Sequence, residues 1–451
     1  MRMRLSDPFL RFPKRSLMTI RRKVLDDALT LLVLFLATGA FQGLVVDPTD
    51  PRAGTEGSPS MQIVWLVVYG AVALRLIPQY RKIMALVRAN KCLLLLVLLA
   101  VMSVLWSEDP SLTLRRSIAL LATTLFGIDF AVRYSVRDQL RLLYIVLGLV
   151  VSLGIAAQLL FPNLIPSLDF PPDAWHGVVG FKNDWARIIV LAMVAVLSRS
   201  RRSLGDFLLM GSLTLVAFAL IALAKSVGGL VILMVMLLLF RVSGALRWRP
   251  RMLAAAGLAT ALVVLPMSYV LFQNFGKATA VVGRDPSLTG RVDIWQLAFS
   301  SIARNPIHGY GFSAFWDADS QAATRIREEL HWSTPHAHNG YIDMALGLGF
   351  AGLFLLNASW LISARRAFDC LKRGAEREAM WPLAYLTFFF LYQFTEGSLV
   401  SGNTIFWILY VAVSFSVTPV AVADQPALPS DREFVAPIEM FPLGQERAGL
   451  T

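Results

Sequence analysis

The sequence predicts an all-α, polytopic membrane protein with about twelve transmembrane helices and one large periplasmic loop between the ninth and tenth. Hydrophobic residues make up 56% of the chain and charged residues 16%, whereas about 25% of a soluble chain is charged. Apolar runs near the length of about 20 residues that a bilayer requires recur from end to end. Basic residues concentrate in every second connection between these runs. Together, these observations indicate one membrane domain rather than several soluble cores.

The predicted spans follow one another with short connections in most places. The first apolar run follows a long basic segment and lacks a small-residue cleavage site, so we expect a membrane span there and not a cleaved signal peptide. The predicted spans cover about 28–46, 62–78, 92–106, 117–132, 141–161, 184–198, 206–223, 228–240, 252–273, 341–364, 381–398 and 404–423.

Lys and Arg mark the connections that we expect on the cytoplasmic side. The N-terminal segment 1–27 is basic, and further basic residues follow the second, fourth, sixth, eighth and tenth spans. This pattern predicts that both termini lie in the cytoplasm. It also accounts for the net charge of +12, so nucleic acid is not an expected partner. The Pro-rich tail 424–451 is expected to be disordered.

The connection from 274 to 340 is far longer than the others and contains no apolar span. Because it follows the ninth span, the charge pattern predicts a periplasmic location. Long connections are usually functional or disordered, and the Trp, Phe and Tyr content of this one favours a folded cap. We therefore divide the chain into the basic segment 1–27, a transmembrane domain 28–423 that includes this cap, and the cytoplasmic tail 424–451.

All five histidines map to the periplasmic side, and His336 and His338 stand directly before the tenth span. In one interpretation these are polar residues at a helix start, with Asn339 as the N-cap. In the other, His338 is a general base at the membrane surface, because imidazole titrates near working pH. His336 is the second candidate for that role.

Metal and disulfide chemistry are not indicated by the sequence. A histidine pair is possible as a metal ligand, but no further ligand lies nearby in the sequence. The two cysteines, Cys92 and Cys370, fall at predicted cytoplasmic ends, so a structural disulfide is not expected.

Several cations lie on the outer side, against the positive-inside trend. They are Arg116, Lys182, Arg187 and Arg291. Cations near helix starts form an anion site together with backbone N–H groups. The alternatives are snorkelling for Arg187 and a surface ion pair for Arg291. Glu396, near the periplasmic end of the eleventh span, is expected to face protein or water, and one alternative is a simple pair with one of these arginines.

Two charged residues, Arg75 and Asp129, fall near predicted cytoplasmic ends of spans. Snorkelling explains Arg75 in this scheme. Asp129 is expected to pair with Arg133, which follows one helical turn later.

The cap contains a glycine-rich aromatic stretch that begins at Arg304-Asn305-Pro306 and includes Gly309-Tyr310-Gly311. The two glycines indicate a turn. The aromatic side chains pack together in one interpretation and stack on sugar rings in the other. These side chains are Tyr310, Phe312, Phe315 and Trp316.

Taken in order, the motifs resemble the O-antigen ligase and polymerase superfamily, and most closely the ExoQ-type exopolysaccharide polymerases. The motifs are Leu105-Trp106-Ser107-Glu108-Asp109-Pro110 with Arg115-Arg116, Phe181-Lys182-Asn183, Thr289-Gly290-Arg291…Trp295, Asn305-Pro306…Gly309-Tyr310-Gly311, His338-Asn339-Gly340-Tyr341 and Phe394-Thr395-Glu396. The resemblance covers most of the chain from about 90 to 415.

The resemblance implies a bacterial inner-membrane enzyme without a cofactor, which moves a glycan from undecaprenyl diphosphate to a sugar hydroxyl on the periplasmic face. It implies His338 as the base, and Arg291 with Lys182 or Arg187 around the diphosphate. We add Arg116, Asn339 and Glu396 as candidate substrate-binding residues. Members often carry Ser-x-Ser and a basic residue where this chain reads Ala224-Lys225-Ser226-Val227-Gly228, so Lys225 is a candidate substitute.

Three functions fit the sequence. The first is a polymerase that extends exopolysaccharide repeat units, and the second is a ligase that transfers glycan to a lipid A core or a protein. The third is a flippase for lipid-linked sugar, although transporters place ionisable residues near the bilayer midplane and this chain places its clear charges at helix ends. Expected partners are the lipid-linked oligosaccharide, membrane lipids and other polysaccharide export components.

Overall fold

The structure is a computed structural model that describes residues 14–41, 44, 59–167, 173–200, 203–246, 289–317, 319–330, 334, 336–373, 377–397, 400–419 and 421. All regular secondary structure in these ranges is helical, which confirms the all-α prediction for them. The α-helices are α1 Lys14–Ala37, α2 Pro59–Leu76, α3 Tyr80–Ala89, α4 Lys91–Met102, α5 Pro110–Arg133, α6 Val136–Leu160, α7 Lys182–Ser198, α8 Leu204–Leu223, α9 Val227–Leu246, α10 Thr289–Arg304, α11 Gln321–Leu330, α12 Gly340–Arg373, α13 Trp381–Tyr392 and α14 Ile405–Ser416.

The chain is a membrane protein with helices suited to crossing a bilayer. Four helical stretches are long and apolar enough to do so by length and composition, namely Ser60–Ala89, Val136–Leu160, Leu204–Leu223 and Gly340–Arg373. Three shorter helical stretches are also apolar, and they are Lys91–Leu105, Val227–Val242 and Ile405–Ser416. The predicted ninth span 252–273, the first part of the cap and the tail 424–451 lie outside the described residues.

Helices α7, α13 and α14 form the centre of the bundle. Helix α7 packs against α6, α8, α9 and α13, and α14 packs mainly on α5. Every residue of α14 is buried, and Trp185 in α7 and Trp381 in α13 are fully enclosed. A helix that is apolar all round is stable in such a position because no face needs to meet water. By contrast, α2 and α8 expose large apolar side chains such as Leu66 and Leu215, as expected of surfaces that meet lipid.

Helix α12 is interrupted at Gly349, whose φ is 64°. The interruption frees backbone groups, and the cap segment (residues 289–340) pairs with them. The N–H of Tyr310 donates to the Leu346 carbonyl at 2.8 Å, and the Phe350 N–H donates to the Pro306 carbonyl at 2.7 Å. A side chain at Gly349 would collide with the backbone at Ile307. The glycine therefore permits both the positive φ and the close approach.

Aromatic packing fills the described part of the cap segment. Tyr310, Phe315 and Trp316 are buried together with residues of α10 and α11. The Tyr310 hydroxyl donates to the Ser301 carbonyl at 2.8 Å, and Trp316 Nε1 donates to Asp343 Oδ1 at 2.7 Å. Because these rings are buried together, and Tyr310 and Trp316 are also hydrogen-bonded, they form a core, and the sugar-stacking interpretation is wrong for them.

Four charged side chains form the Asp129 cluster (Asp26, Arg75, Asp129 and Arg133) between α1, α2 and α5. Asp129 is fully buried, with Arg75 Nη2 at 3.0 Å and Arg133 Nε at 2.7 Å. Asp26 lies 3.6 Å from Arg75 and 3.4 Å from Arg133. The predicted Asp129–Arg133 pair is confirmed. The snorkelling prediction for Arg75 is wrong, because its guanidinium turns inward to two carboxylates.

Candidate active site

The two histidines before α12 lie on a sharply bent segment. His338 has a φ of 50°, in the left-handed region, and Asn339 follows it at the helix start. Asn339 Oδ1 accepts hydrogen bonds from the N–H groups of Tyr341 at 3.0 Å and Ile342 at 3.3 Å. The side-chain oxygen of Asn339 therefore serves as the helix cap, which is the structural interpretation of this residue. Its proposed role in substrate binding has no separate support in this geometry.

Three hydrogen bonds hold the segment in its strained shape. Asp343, one turn into α12, uses Oδ1 to accept from the Ala337 N–H at 3.0 Å and from Trp316 of the cap segment. His336 Nδ1 accepts from the His338 N–H at 3.0 Å. A left-handed conformation costs a non-glycine residue roughly 1 kcal/mol or more, and these bonds offset that cost. These bonds fix the backbone position from which the His338 side chain projects.

Glu396 meets His338 from the loop that follows α13. Its Oε2 lies 3.7 Å from His338 Nδ1, and the side chain is buried. The His336 ring stands edge-on to His338 with centroids 4.1 Å apart. The pKa of His336 is lowered to about 3, chiefly by burial and in part by His338, Arg187 and Arg291, while Glu396 opposes the shift. His336 is therefore neutral at working pH, with Nδ1 occupied as an acceptor.

Two arginines on separate helices reach the same place. Arg187 in α7 is 3% exposed, pairs with Asp184, and lies 4.3 Å over the ring of Phe406. This burial rules out the snorkelling alternative for Arg187. Arg291, in the first turn of α10, is within electrostatic range of Glu396. Burial lowers the pKa of Arg291, and Glu396 opposes that shift. We call Arg187, Arg291, His336, His338 and Glu396 the His338 cluster.

A cavity of about 60 Å³ opens beside this cluster. It is lined by Asn183, Ser226, Gly228, Gly229, Arg291, Tyr392, Thr395 and Glu396. Two helices start at its wall, because α7 begins one residue before Asn183 and α9 begins one residue after Ser226. Helix N-termini present N–H groups and the positive end of the dipole, so they favour an anion.

The structure brings together His338, Glu396, Arg187 and Arg291 from four separate parts of the sequence. Lys182 begins α7 directly before Asn183, which lines the cavity. Arg116 instead contacts the cap segment, at Ser313.

Arg116 acts as a tether in the structure. Its Nη1 donates to the Ser313 carbonyl of the cap segment at 2.9 Å. Thr113, on the same helix, donates to the Phe312 carbonyl at 3.2 Å. Arg116, which the sequence suggested as a substrate-binding residue, therefore attaches α5 to the cap segment. Lys225 was the candidate to replace the basic residue that family members often carry at this point. It pairs with Asp173, and no contact with the cavity supports that prediction.

Sequence reasoning missed Asp343, Ser226 and Tyr392. Asp343 had one available signal, an acidic residue in the first turn of an apolar span. Ser226 stood in the segment where the family pattern departs. Tyr392 had no signal, since it ends a span in which aromatic residues are common.

His336, His338 and Glu396 also form a group with potential metal-ligand atoms within 4.8 Å of one another. No further ligand lies near the histidine pair in the sequence, but the fold brings Glu396 to it from a distant part of the chain. Arg187 and Arg291 both lie within electrostatic range of the group. Two guanidinium charges oppose a cation and favour an anion at this position.

Comparisons with known proteins show two similarities. A family model described as O-antigen ligase matches residues 212–356, a range that contains α9, α10, the cap segment and His338. The chain is 25% identical over 325 residues to the exopolysaccharide production protein ExoQ of Rhizobium meliloti (strain 1021), covering 69% of this chain and 72% of that protein. The resemblance to the O-antigen ligase and polymerase superfamily, and to ExoQ-type proteins in particular, is therefore confirmed.

Proposed function

We propose that the protein transfers a glycan from undecaprenyl diphosphate to a sugar hydroxyl and thereby polymerises exopolysaccharide repeat units. The observation that supports this function best is the His338–Glu396 pair, with side-chain atoms 3.7 Å apart and two arginines, Arg187 and Arg291, within electrostatic range. A base and an anion site in one place are what transfer from a diphosphate carrier requires. The similarity to an exopolysaccharide production protein favours the polymerase over the ligase.

In the proposed step, the acceptor oxygen attacks the anomeric carbon of the donor sugar. The new carbon–oxygen bond forms as the bond to the diphosphate oxygen breaks, and that electron pair stays on the diphosphate. The acceptor proton passes to His338 Nε2. Glu396, next to Nδ1, stabilises the imidazolium that results. Arg187 and Arg291 stabilise the charge on the departing diphosphate.

The proposed topology puts this reaction on the periplasmic face of a bacterial inner membrane. Residues 274–340 would be periplasmic, and the segments 1–27 and 424–451 would be cytoplasmic, because basic residues alternate between connections. An alkaline phosphatase fused after residue 300 should be active, and one fused after residue 245 should be inactive. The reverse pattern would contradict the whole scheme.

Glycan analysis of a deletion strain tests the proposed function. Loss of polymer, with single repeat units left on the lipid in the outer leaflet, is the expected result. Polymer that accumulates on the lipid would instead indicate the ligase, which the O-antigen ligase description of the matched family keeps as the second candidate. Repeat units trapped in the cytoplasmic leaflet would contradict both and indicate a flippase.

A further inference from the structure

Tyr392, the last residue of α13, has a buried hydroxyl that no step above uses. The side chain is 2% exposed, and its ring packs on Phe388 with centroids 4.9 Å apart. The hydroxyl has no hydrogen-bond partner among the described residues. The same side chain lines the cavity beside Arg291 and Glu396. A buried phenol is normally bonded, so this one points to a ligand.

Neighbouring tyrosines in the bundle show how the fold treats a buried phenol when its role is structural. The hydroxyl of Tyr385 donates to the Phe406 carbonyl. The hydroxyl of Tyr410 lies 2.8 Å from Ser359 Oγ, and that of the half-buried Tyr341 donates to the Phe390 carbonyl at 3.2 Å. Tyr392 differs from all three because its hydroxyl has no hydrogen-bond partner among the described residues and its side chain lines a cavity.

The first turn of α9 lies on another side of that cavity. Ser226 Oγ accepts from the Gly229 N–H at 3.3 Å and donates to Asn183 Oδ1 at 3.0 Å, so the side chain caps the helix and joins it to α7. Gly228 also lines the cavity, and a Cβ placed there would have Thr395 as its nearest neighbour at 3.5 Å. Absence of a side chain lets a ligand approach the start of a 20-residue helix.

Most groups that surround the cavity offer hydrogens or positive charge. Tyr392 supplies an O–H, Arg291 a guanidinium and α9 the positive end of its dipole. Their common ligand is an anion with several acceptor oxygens. Glu396 is the exception, and it lies against His338.

We infer that Tyr392 and the first turn of α9 bind one phosphate of a polyprenyl diphosphate, with the Tyr392 hydroxyl donating to a non-bridging phosphate oxygen. This inference rests on the proposed function and names the part of the site that holds the leaving group. Tyr392 thus joins Arg291 as a substrate-binding residue, at the position where negative charge grows as the anomeric bond breaks.

The test is binding of farnesyl diphosphate to the purified full-length protein in nanodiscs, with farnesol as the uncharged comparison. Tyr392→Phe keeps the ring against Phe388 and removes only the hydroxyl. Its dissociation constant for farnesyl diphosphate should rise about tenfold or more, because a hydrogen bond to a charged group is lost. The melting temperature without ligand should not fall, since no bond to the described residues is removed.

Tyr385→Phe is the matched control on the same helix. It removes a bonded buried hydroxyl, so it should lower the melting temperature and leave farnesyl diphosphate binding unchanged. Gly228→Ala is a second, independent variant that adds a methyl group in ordinary contact with Thr395. It should also weaken the binding of farnesyl diphosphate.

Unchanged farnesyl diphosphate binding in Tyr392→Phe would overturn the inference, and so would a destabilised Tyr392→Phe together with normal binding in Gly228→Ala. Wild-type protein that binds farnesyl diphosphate no better than farnesol would overturn the proposed diphosphate donor as well. The wild type thus tests the proposed function, and the variants test the role of Tyr392.

Discussion

The Asp129 cluster and the His338 cluster are both groups of buried charges, and they differ in how those charges are matched. In the Asp129 cluster each arginine lies near both carboxylates, at 2.7 to 3.6 Å. In the His338 cluster Glu396 has a histidine at 3.7 Å, and the neighbouring Tyr392, whose hydroxyl has no partner among the described residues, lines a cavity. Charges matched within the fold stabilise its geometry once formed, whereas polar groups that converge on a cavity indicate a site.

The largest effect on activity should come from His338→Ala. Loss of a general base lowers turnover by about 10²–10⁴-fold, and lipid-linked donor should still bind. The measurement is polymer formation by purified, reconstituted protein, with the exposed His308→Ala as the control for a histidine outside the cluster.

The pH dependence of the wild type distinguishes two roles for His338. A base must be neutral, so activity should rise with increasing pH. An imidazolium that clamps phosphate would instead lose activity as pH increases. Near-normal turnover in His338→Ala would exclude His338 as the base.

The largest effect on stability should come from Asp129→Ala. This change leaves two arginines without the carboxylate that they share, and breaking such a buried pair costs about 3–5 kcal/mol. Thermal unfolding in nanodiscs measures the loss, while turnover per folded molecule should stay normal. Glu396→Gln is the converse variant and should mainly lower turnover. Equal stability losses in the two variants would mean that the clusters do not differ as described.

Arg291→Lys should have an intermediate effect on turnover. A guanidinium presents a planar fork to phosphate oxygens, and an ammonium is a point charge. Loss of the second hydrogen bond should lower kcat/KM by roughly tenfold. Arg304→Lys, at the exposed end of the same helix, is the matched control. A normal kcat/KM in Arg291→Lys would argue against a bidentate contact.

A smaller effect on stability than that of Asp129→Ala concerns His336 and pH. The pKa of His336 is about 3 in the folded protein and about 6.5 in an unfolded chain, so only the unfolded chain takes up a proton as pH falls below 6.5. The contribution to stability is full above that pH and is lost as pH falls towards 3. At pH 5 the loss is about 2 kcal/mol.

The melting temperature at pH 5 and pH 7.5 checks this, with His336→Asn expected to weaken the dependence and exposed His308→Asn expected to retain it. If the melting temperature of His336→Asn depended on pH as that of the wild type does, the assignment of this dependence to His336 would be contradicted.

Local sequence patterns predicted the structural features that depend only on residues close together in the sequence. Helical class follows from apolar runs, the Asp129–Arg133 pair from a spacing of four, and the cap of α12 from Asn339. The inward turn of Arg75 was not predictable, because Asp129 comes from another helix.

The same limit applied to the site. The resemblance singled out His338, Glu396 and Arg291 separately, and the way they meet depends on how distant helices pack. The role of Tyr392 could not be predicted, because the sequence of an apolar span does not show whether a tyrosine hydroxyl is hydrogen-bonded or whether the residue lines a cavity.

The break in α12 also bears on the order in which the protein is made. Residues 306–311 leave the ribosome before their backbone partners at 346–351, so the cap segment cannot complete its pairing until the later helix has been synthesised. Unpaired backbone groups cost free energy in hydrocarbon. We therefore expect α12 to need the cap segment beside it as it inserts into the membrane. His338 lies between these two partners in the chain. We therefore expect assembly of the site to be a late event in biogenesis.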